Sequence, residues 1–278
     1  MSNPRRVVSA LVVAAAVGVC GGLIVFDFAS PANPRAAVAS ASAARGAADG
    51  SPADVPSPVK PAFVPGKPVL LRQSPDVSRW AVVRTAVRPR ATPRADARAL
   101  PLLSTQTPEG TSNIVLVLDR HVDDAGRLWI RVRLPALEAQ DATGWIPRET
   151  VGGYGTVRTR LVVDLRSLEA TLMRDGRPIF HAHVGVGKPT WPTPRGEFYV
   201  RNRLTVYASP TYGPIAFGTS ARSRVLTDWP AGGFVGIHGT DRPDLLPGYV
   251  SHGCIRMRNE DILRLARVMP VGTPVTIR

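Results

Sequence analysis

With 278 residues, 44% of them hydrophobic and 20% charged, the chain is long enough for two modest folded units and too apolar to be disordered throughout. Its 35 basic residues against 21 acidic ones leave a formal net charge of +14, carried almost wholly by arginine, which favours anionic partners at any pH. Two cysteines in this length exclude a disulfide scaffold.

Residues 7 to 26, VVSALVVAAAVGVCGGLIVF, run apolar for 20 positions behind Arg5 and Arg6. At about 1.5 Å per residue the run spans roughly 30 Å of hydrocarbon, with the arginines left on the cytoplasmic side. Residues 1–28 are therefore expected to be a single N-terminal membrane segment or a signal sequence, the small residues ASA at 41–43 offering a cleavage site. Either outcome exports the rest of the chain to the cell envelope. Nucleic acid is then a poor explanation of the positive charge. Cys20 falls inside the apolar run, and Val19 stands where a lipoprotein site would have a small residue. Cys254 is left as the lone thiol of the exported portion, without an intrachain partner and open to oxidation, which favours a reactive role.

Residues 29–66 are mostly Ala, Ser and Pro, too poor in large apolar groups to offset the entropy of ordering, and are expected to form an extended linker. Residues 67–155 carry short β-like runs, AVVRTAV (81–87), NIVLVLD (113–119), RLWIRVRL (127–134) and TGWIPRE (143–149), separated by turn residues. A small β-barrel is predicted, with Trp129 and Trp145 in its core. The pattern VLVLDRHVDDAGRLWIRVRLP followed by TGWIPR resembles the bacterial Src-homology-like wall-targeting barrels.

From residue 156 to 278 a second β-rich unit is expected. Asp175-Gly176, between ATLMR and RPIFHAHVGV, is a two-residue hairpin signal because both turn positions want positive φ. RNEDILRLARVM predicts a short helix with Asn259 as N-cap, Glu260 and Asp261 in the first turn, and Ile262, Leu265, Ala266 and Met269 on one face. Pro270 and Gly272 stop it, and TPVTI (273–277) reads as a closing strand. The fold class expected is thus mainly β, with one short C-terminal helix. No internal repeat is visible.

GVGKPT (185–190) imitates a phosphate loop but has Ala182 where the first glycine belongs and Pro189 where Ser or Thr would hold magnesium. His181 and His183 alternate onto one strand face, yet neither Cys-x-x-Cys nor His-Glu-x-x-His spacing occurs, so no metal site is expected. The informative stretch is GIHGT (236–240) followed by SHGCIRM (251–257). Acyl transfer through a thiol needs a nucleophile, a base, oxyanion donors and an orienter for the base. Cys254 sits in a Gly turn ahead of a helix, His238 and His252 are candidate bases, and Arg256 adds positive potential that favours a thiolate and an acidic substrate.

HGT (238–240), SHGCIRM and, upstream, KPTWPTPRGEFYV (188–200) together resemble the L,D-transpeptidase catalytic domain, whose members cross-link bacterial peptidoglycan outside the cell. The resemblance implies Cys254 as nucleophile, His238 as base and the Gly239 carbonyl as its orienter. It also implies an oxyanion hole from the N–H groups of Gly253 and Cys254, with His252 and Ser251 shaping the turn, Ser251 near substrate and Arg256 holding substrate. It further implies peptidoglycan stem peptides as partners, no cofactor and a monomeric enzyme. A hydrolase or carboxypeptidase of the same fold, and a wall-binding module without catalysis, share these residues and stay open.

Overall fold

The computed structural model describes residues 69–70, 76–135, 142–205, 209–225 and 233–278. The expected membrane segment and the 29–66 linker lie outside the described residues, among which no helix is long and apolar enough to cross a membrane. The described strands and the one described α-helix make the protein mainly β.

The first sheet comprises β1 (Val69–Leu70), β2 (Ser78–Val83), β3 (Ile114–Val122), β4 (Leu128–Arg133), β5 (Thr143–Pro147) and β6 (Val151–Val157). Its order is β5-β4-β3-β2-β6, antiparallel throughout, with β1 also on β3. The four apolar runs noted between 81 and 149 map onto β2 to β5. Val115 and Val117 of β3 join Ala81, Ile130, Val132 and Ile146 in one core. Ile114 and Leu116, on the other face of β3, pack on Tyr199 of the second sheet. Both faces of β3 are covered, which is why NIVLVL is continuously apolar instead of alternating. Trp129 and Trp145 are both buried, Trp129 donating from Nε1 to Asp123 at 2.8 Å.

The second sheet comprises β7 (Thr159–Asp164), β8 (Glu169–Arg174), β9 (Arg177–His183), β10 (Gly185–Gly187), β11 (Gly196–Leu204), β12 (Ala216–Arg222), β13 (Phe234–His238), β14 (Gly248–Ser251), β15 (Ile255–Arg256) and, after helix α1 (Asn259–Val268), β16 (Pro274–Ile277). Its order is β14-β10-β15-β13-β12-β11-β16-β7-β8-β9. β8 and β9 form the expected hairpin, with Asp175 at φ 51° and Gly176 at φ 76°. The α1 face predicted from spacing is buried as a set, Ile262, Leu265, Ala266 and Met269 packing with Met257, Phe217 and Ile237. Burial of this kind contributes about 1.5–3 kcal/mol for each large side chain, more than a ten-residue helix gains from propensity.

The two sheets belong to one compact unit, Lys60–Arg278. The first ends at Val157 and the second starts at Thr159. Between them Tyr199 donates its hydroxyl to the Ile114 carbonyl at 2.9 Å. Arg201, 1% exposed, meets Glu109, 10% exposed, at 3.1 Å. Asn202 Nδ2 adds donors to Glu109 at 3.1 Å and to Thr111 at 3.0 Å.

Candidate active site

β13 and β15 lie side by side in parallel, with Ile237 opposite Ile255 and His238 opposite Arg256. Side chains two apart on a strand share a face, so Gly236 and His238 on one chain segment and Cys254 and Arg256 on the other converge on one surface. Gly236 lies beneath that surface. A Cβ there would lie 3.7 Å from His238 Cδ2 and 3.8 Å from Cys254 Sγ, placing imidazole and thiol over the same bare glycine. The Gly236 N–H donates to Cys254 Sγ at 3.4 Å.

His238 is held from behind. Its Nδ1 lies 2.6 Å from the Gly239 carbonyl, and since a carbonyl can only accept, the ring proton belongs on Nδ1 and Nε2 keeps its lone pair. The Tyr212 ring packs on it at 4.8 Å. Burial pushes the His238 pKa down to about 4, the Gly239 bond opposing and the Arg256 charge assisting. Burial also pushes the Cys254 thiol above its ordinary value, against smaller downward pulls from the Gly236 N–H and Arg256. The sequence predicted surroundings that favour a thiolate. The structure corrects this: desolvation outweighs the turn and the arginine, and at neutral pH the resting pair is thiol and neutral imidazole.

The turn carrying Cys254 is braced internally. Ser251 is fully buried, its Oγ donating to the Cys254 carbonyl at 2.6 Å and accepting the Gly253 N–H at 3.0 Å. With its hydroxyl used on both sides, Ser251 shapes the turn, as expected of it, and it is not among the residues lining the cavity. Gly253, at φ 112°, takes a conformation that glycine adopts readily, and its N–H, expected in the oxyanion hole, is committed to Ser251. Thr193 locks the turn to the sheet, accepting the Gly187 N–H and donating to the Gly253 carbonyl, each at 2.8 Å.

A cavity of about 210 Å³ opens over this surface, lined by Cys254, His238, His252, Arg256, Tyr212 and Phe234 among others. His252 is exposed and stacks on Trp191 at 4.3 Å. Arg256 lines the cavity, and its Nε is buried without a hydrogen-bond partner. A second cavity, about 230 Å³, lies between the sheets beside Arg79, Arg131, Arg133 and Arg160, with no cysteine or histidine in its lining. His181 and His183 are on β9, outside both linings, and no cluster of three metal-ligating side chains occurs among the described residues.

Of the expected site residues, Cys254, His238, His252 and Arg256 line one cavity, while Gly239, Gly253 and Ser251 support them from below. Thr193, Tyr212, Phe234 and Gly236 were not picked out from the sequence. Gly236 and Thr193 do fall inside the quoted motifs GIHGT and KPTWPTPRGEFYV, the one signal that could have found them. Asn259 was assigned to the helix cap. It is instead the first residue of α1, behind an Arg258 cap that makes no side-chain bond, and its Oδ1 accepts the Thr240 N–H at 2.9 Å.

The family model for the L,D-transpeptidase catalytic domain matches residues 158–277. The Bacillus subtilis protein carried under the name L,D-transpeptidase YkuD is 34% identical over 122 residues, covering 44% of this chain and 67% of that one. Another B. subtilis protein, under the name L,D-transpeptidase YqjB, is 34% identical over 128 residues, covering 42% and 69%. The solution structure of the catalytic domain of an E. faecium L,D-transpeptidase is 28% identical, covers 43% of this chain and 96% of that one, and superposes with a TM-score of 0.34. The matched span runs from β7 to β16 and includes every residue of the cavity described above, and two relatives match it over two thirds of their own length: the chain belongs to the L,D-transpeptidase catalytic-domain family.

Proposed function

We propose that the protein is an exported peptidoglycan L,D-transpeptidase acting through a Cys254 thioester. The observation that carries the reading is the placement of His238 and Cys254 over Gly236, with Nδ1 tied to Gly239 and the Nε2 lone pair left for the thiol proton. Neutral partners need no prior ion pair. As Sγ attacks the carbonyl at the L-centre of diaminopimelate in a donor tetrapeptide, Nε2 takes the thiol proton. It then gives that proton to the departing D-alanine amine. The side-chain amine of a neighbouring stem attacks the thioester, loses its proton to Nε2, and the thiol is restored.

Arg256, in the cavity lining, holds a substrate carboxylate through its positive charge, and His252 beside Trp191 forms part of the rim. The oxyanion is received by the Cys254 N–H, Gly253 being occupied. The chain's own groups carry every proton, and the mechanism uses no cofactor. The enzyme works outside the cytoplasm, either held by residues 7–26 or secreted after their cleavage, and acts on peptidoglycan stem peptides as a monomer.

The test is muropeptide mass spectrometry after incubating the purified protein with disaccharide-tetrapeptides. Cross-linked dimers lacking one D-alanine are expected, and Cys254→Ala should abolish them together with the Cys254 adduct formed by a carbapenem. Release of D-alanine without dimers would mean that water is the acceptor. Binding to peptidoglycan with an unchanged profile would remove catalysis from the reading.

A further inference from the structure

One peptide group in the site is hydrogen-bonded at both ends. The Gly239–Thr240 peptide accepts the His238 Nδ1 proton through its carbonyl at 2.6 Å and donates its N–H to Asn259 Oδ1 at 2.9 Å. We infer that Asn259 is a positioning residue of the reaction: through this single peptide plane it fixes and polarises the carbonyl that orients His238, keeping Nε2 turned to Cys254 as the proton acceptor. The inference rests on the reading of His238 as the base.

The chemistry is serial. An amide whose N–H is donated has a more negative carbonyl, which draws harder on the Nδ1 proton and leaves more electron density at Nε2. Asn259, the peptide and the imidazole thus form a chain in which a neutral amide does the orienting that a carboxylate does in other triads.

The packing points the same way. A Cβ on Gly239 or on Gly213 would overlap Asn259 Oδ1, so two glycines leave the notch the amide fills. Gly213, at φ 66°, follows Tyr212, whose ring lies against His238, so one side-chain oxygen adjoins both segments that contact the imidazole. Asn259 begins α1, whose Ile262 and Leu265 are locked in the core, which places the acceptor on a rigid element. Thr240 is itself buried and would otherwise hold an unmet N–H. The charged and titratable groups around the imidazole are Cys254 and Arg256 from the β15 side, His252 on the far rim and Tyr212 beneath, with Asp241 sharing an outer groove with Asn259.

Asn259→Ala and Asn259→Asp in the full chain test this with two readouts. Carbapenem acylation of Cys254, followed by mass spectrometry between pH 3 and 9, should slow about tenfold in Asn259→Ala, the equivalent of one hydrogen bond. Asn259→Asp keeps the acceptor and adds negative charge, so it should retain acylation and shift the acid limb of the pH profile upward. Nitrogen and proton NMR of His238 in a Cys254→Ala background reads the same chain without chemistry. The hydrogen-bonded Nδ1–H resonance should weaken or move upfield in Asn259→Ala and persist in Asn259→Asp. A purely structural role would lower stability in both variants while leaving the pH profile and the Nδ1 resonance of the folded protein as in wild type, and that result overturns the inference. If wild type forms no adduct at Cys254, the catalytic reading fails, and the NMR arm still decides whether Asn259 governs His238.

Discussion

Glu109→Ala removes the only carboxylate recorded against the buried Arg201 guanidinium among the described residues. Arg201 is 1% exposed, and Glu109 accepts from it at 3.1 and 3.3 Å and from Asn202 at 3.1 Å. What stays after the substitution is the Nε bond to the Thr219 carbonyl at 2.8 Å and the face of Phe234 at 3.6 Å, neither of which carries negative charge. Burial already pushes the Arg201 pKa down, and Glu109 is the chief opposing influence. Losing one partner of such a pair costs about 3–5 kcal/mol, because the other charge is left desolvated. Replacing both partners with methionine should cost much less, since the desolvation penalty disappears with the charges. Urea unfolding followed by tryptophan fluorescence gives both values. A loss below about 1 kcal/mol for Glu109→Ala, the level of an exposed pair, would refute the argument, as would a double variant no better than the single one. Because Phe234 also lines the Cys254 cavity, Glu109→Ala should in addition raise KM for the donor peptide more than it lowers kcat.

His238 should make the fold acid-sensitive. Its folded pKa of about 4 is below the ordinary 6.5, so the unfolded chain binds the proton more tightly, and the neutral-ring contribution, complete above pH 6.5, is lost as pH falls from 6.5 to 4. At about 1.36 kcal/mol per unit this is on the order of 3 kcal/mol, and His238→Gln should flatten the stability profile in that window; an unchanged slope would count against burial as the cause. Thr193→Val keeps the shape but strands the buried Gly187 N–H and Gly253 carbonyl, so thermal unfolding should show a loss of about 2–4 kcal/mol, and a neutral result would mean another group satisfies them.

Much of this protein was legible locally. Strand runs, the Asp175-Gly176 hairpin, the Ile262, Leu265, Ala266 and Met269 face, and the two motifs around His238 and Cys254 depend on periodicity, turn chemistry and spacing, all of which are properties of neighbours in the chain. The family resemblance followed from those two motifs together with KPTWPTPRGEFYV upstream. What the tertiary structure decided concerns groups whose partners lie far away in sequence. The thiol's pKa rises because the walls of the cavity remove its water, and no inspection of SHGCIRM measures that loss. Asn259 has the residue type and position of an N-cap, yet its amide turns to Thr240, 19 residues back, because β13 and α1 meet there. Ser251 and Gly253 satisfy each other inside the turn, which commits the Ser251 hydroxyl and the Gly253 N–H to bracing it. Arg201 and Glu109 are 92 residues apart and look like two ordinary surface charges until the sheets close over them. Local pattern determines which element forms, whereas burial and hydrogen-bond partnership depend on which surfaces come together, and that is where the chemistry of each side chain is set.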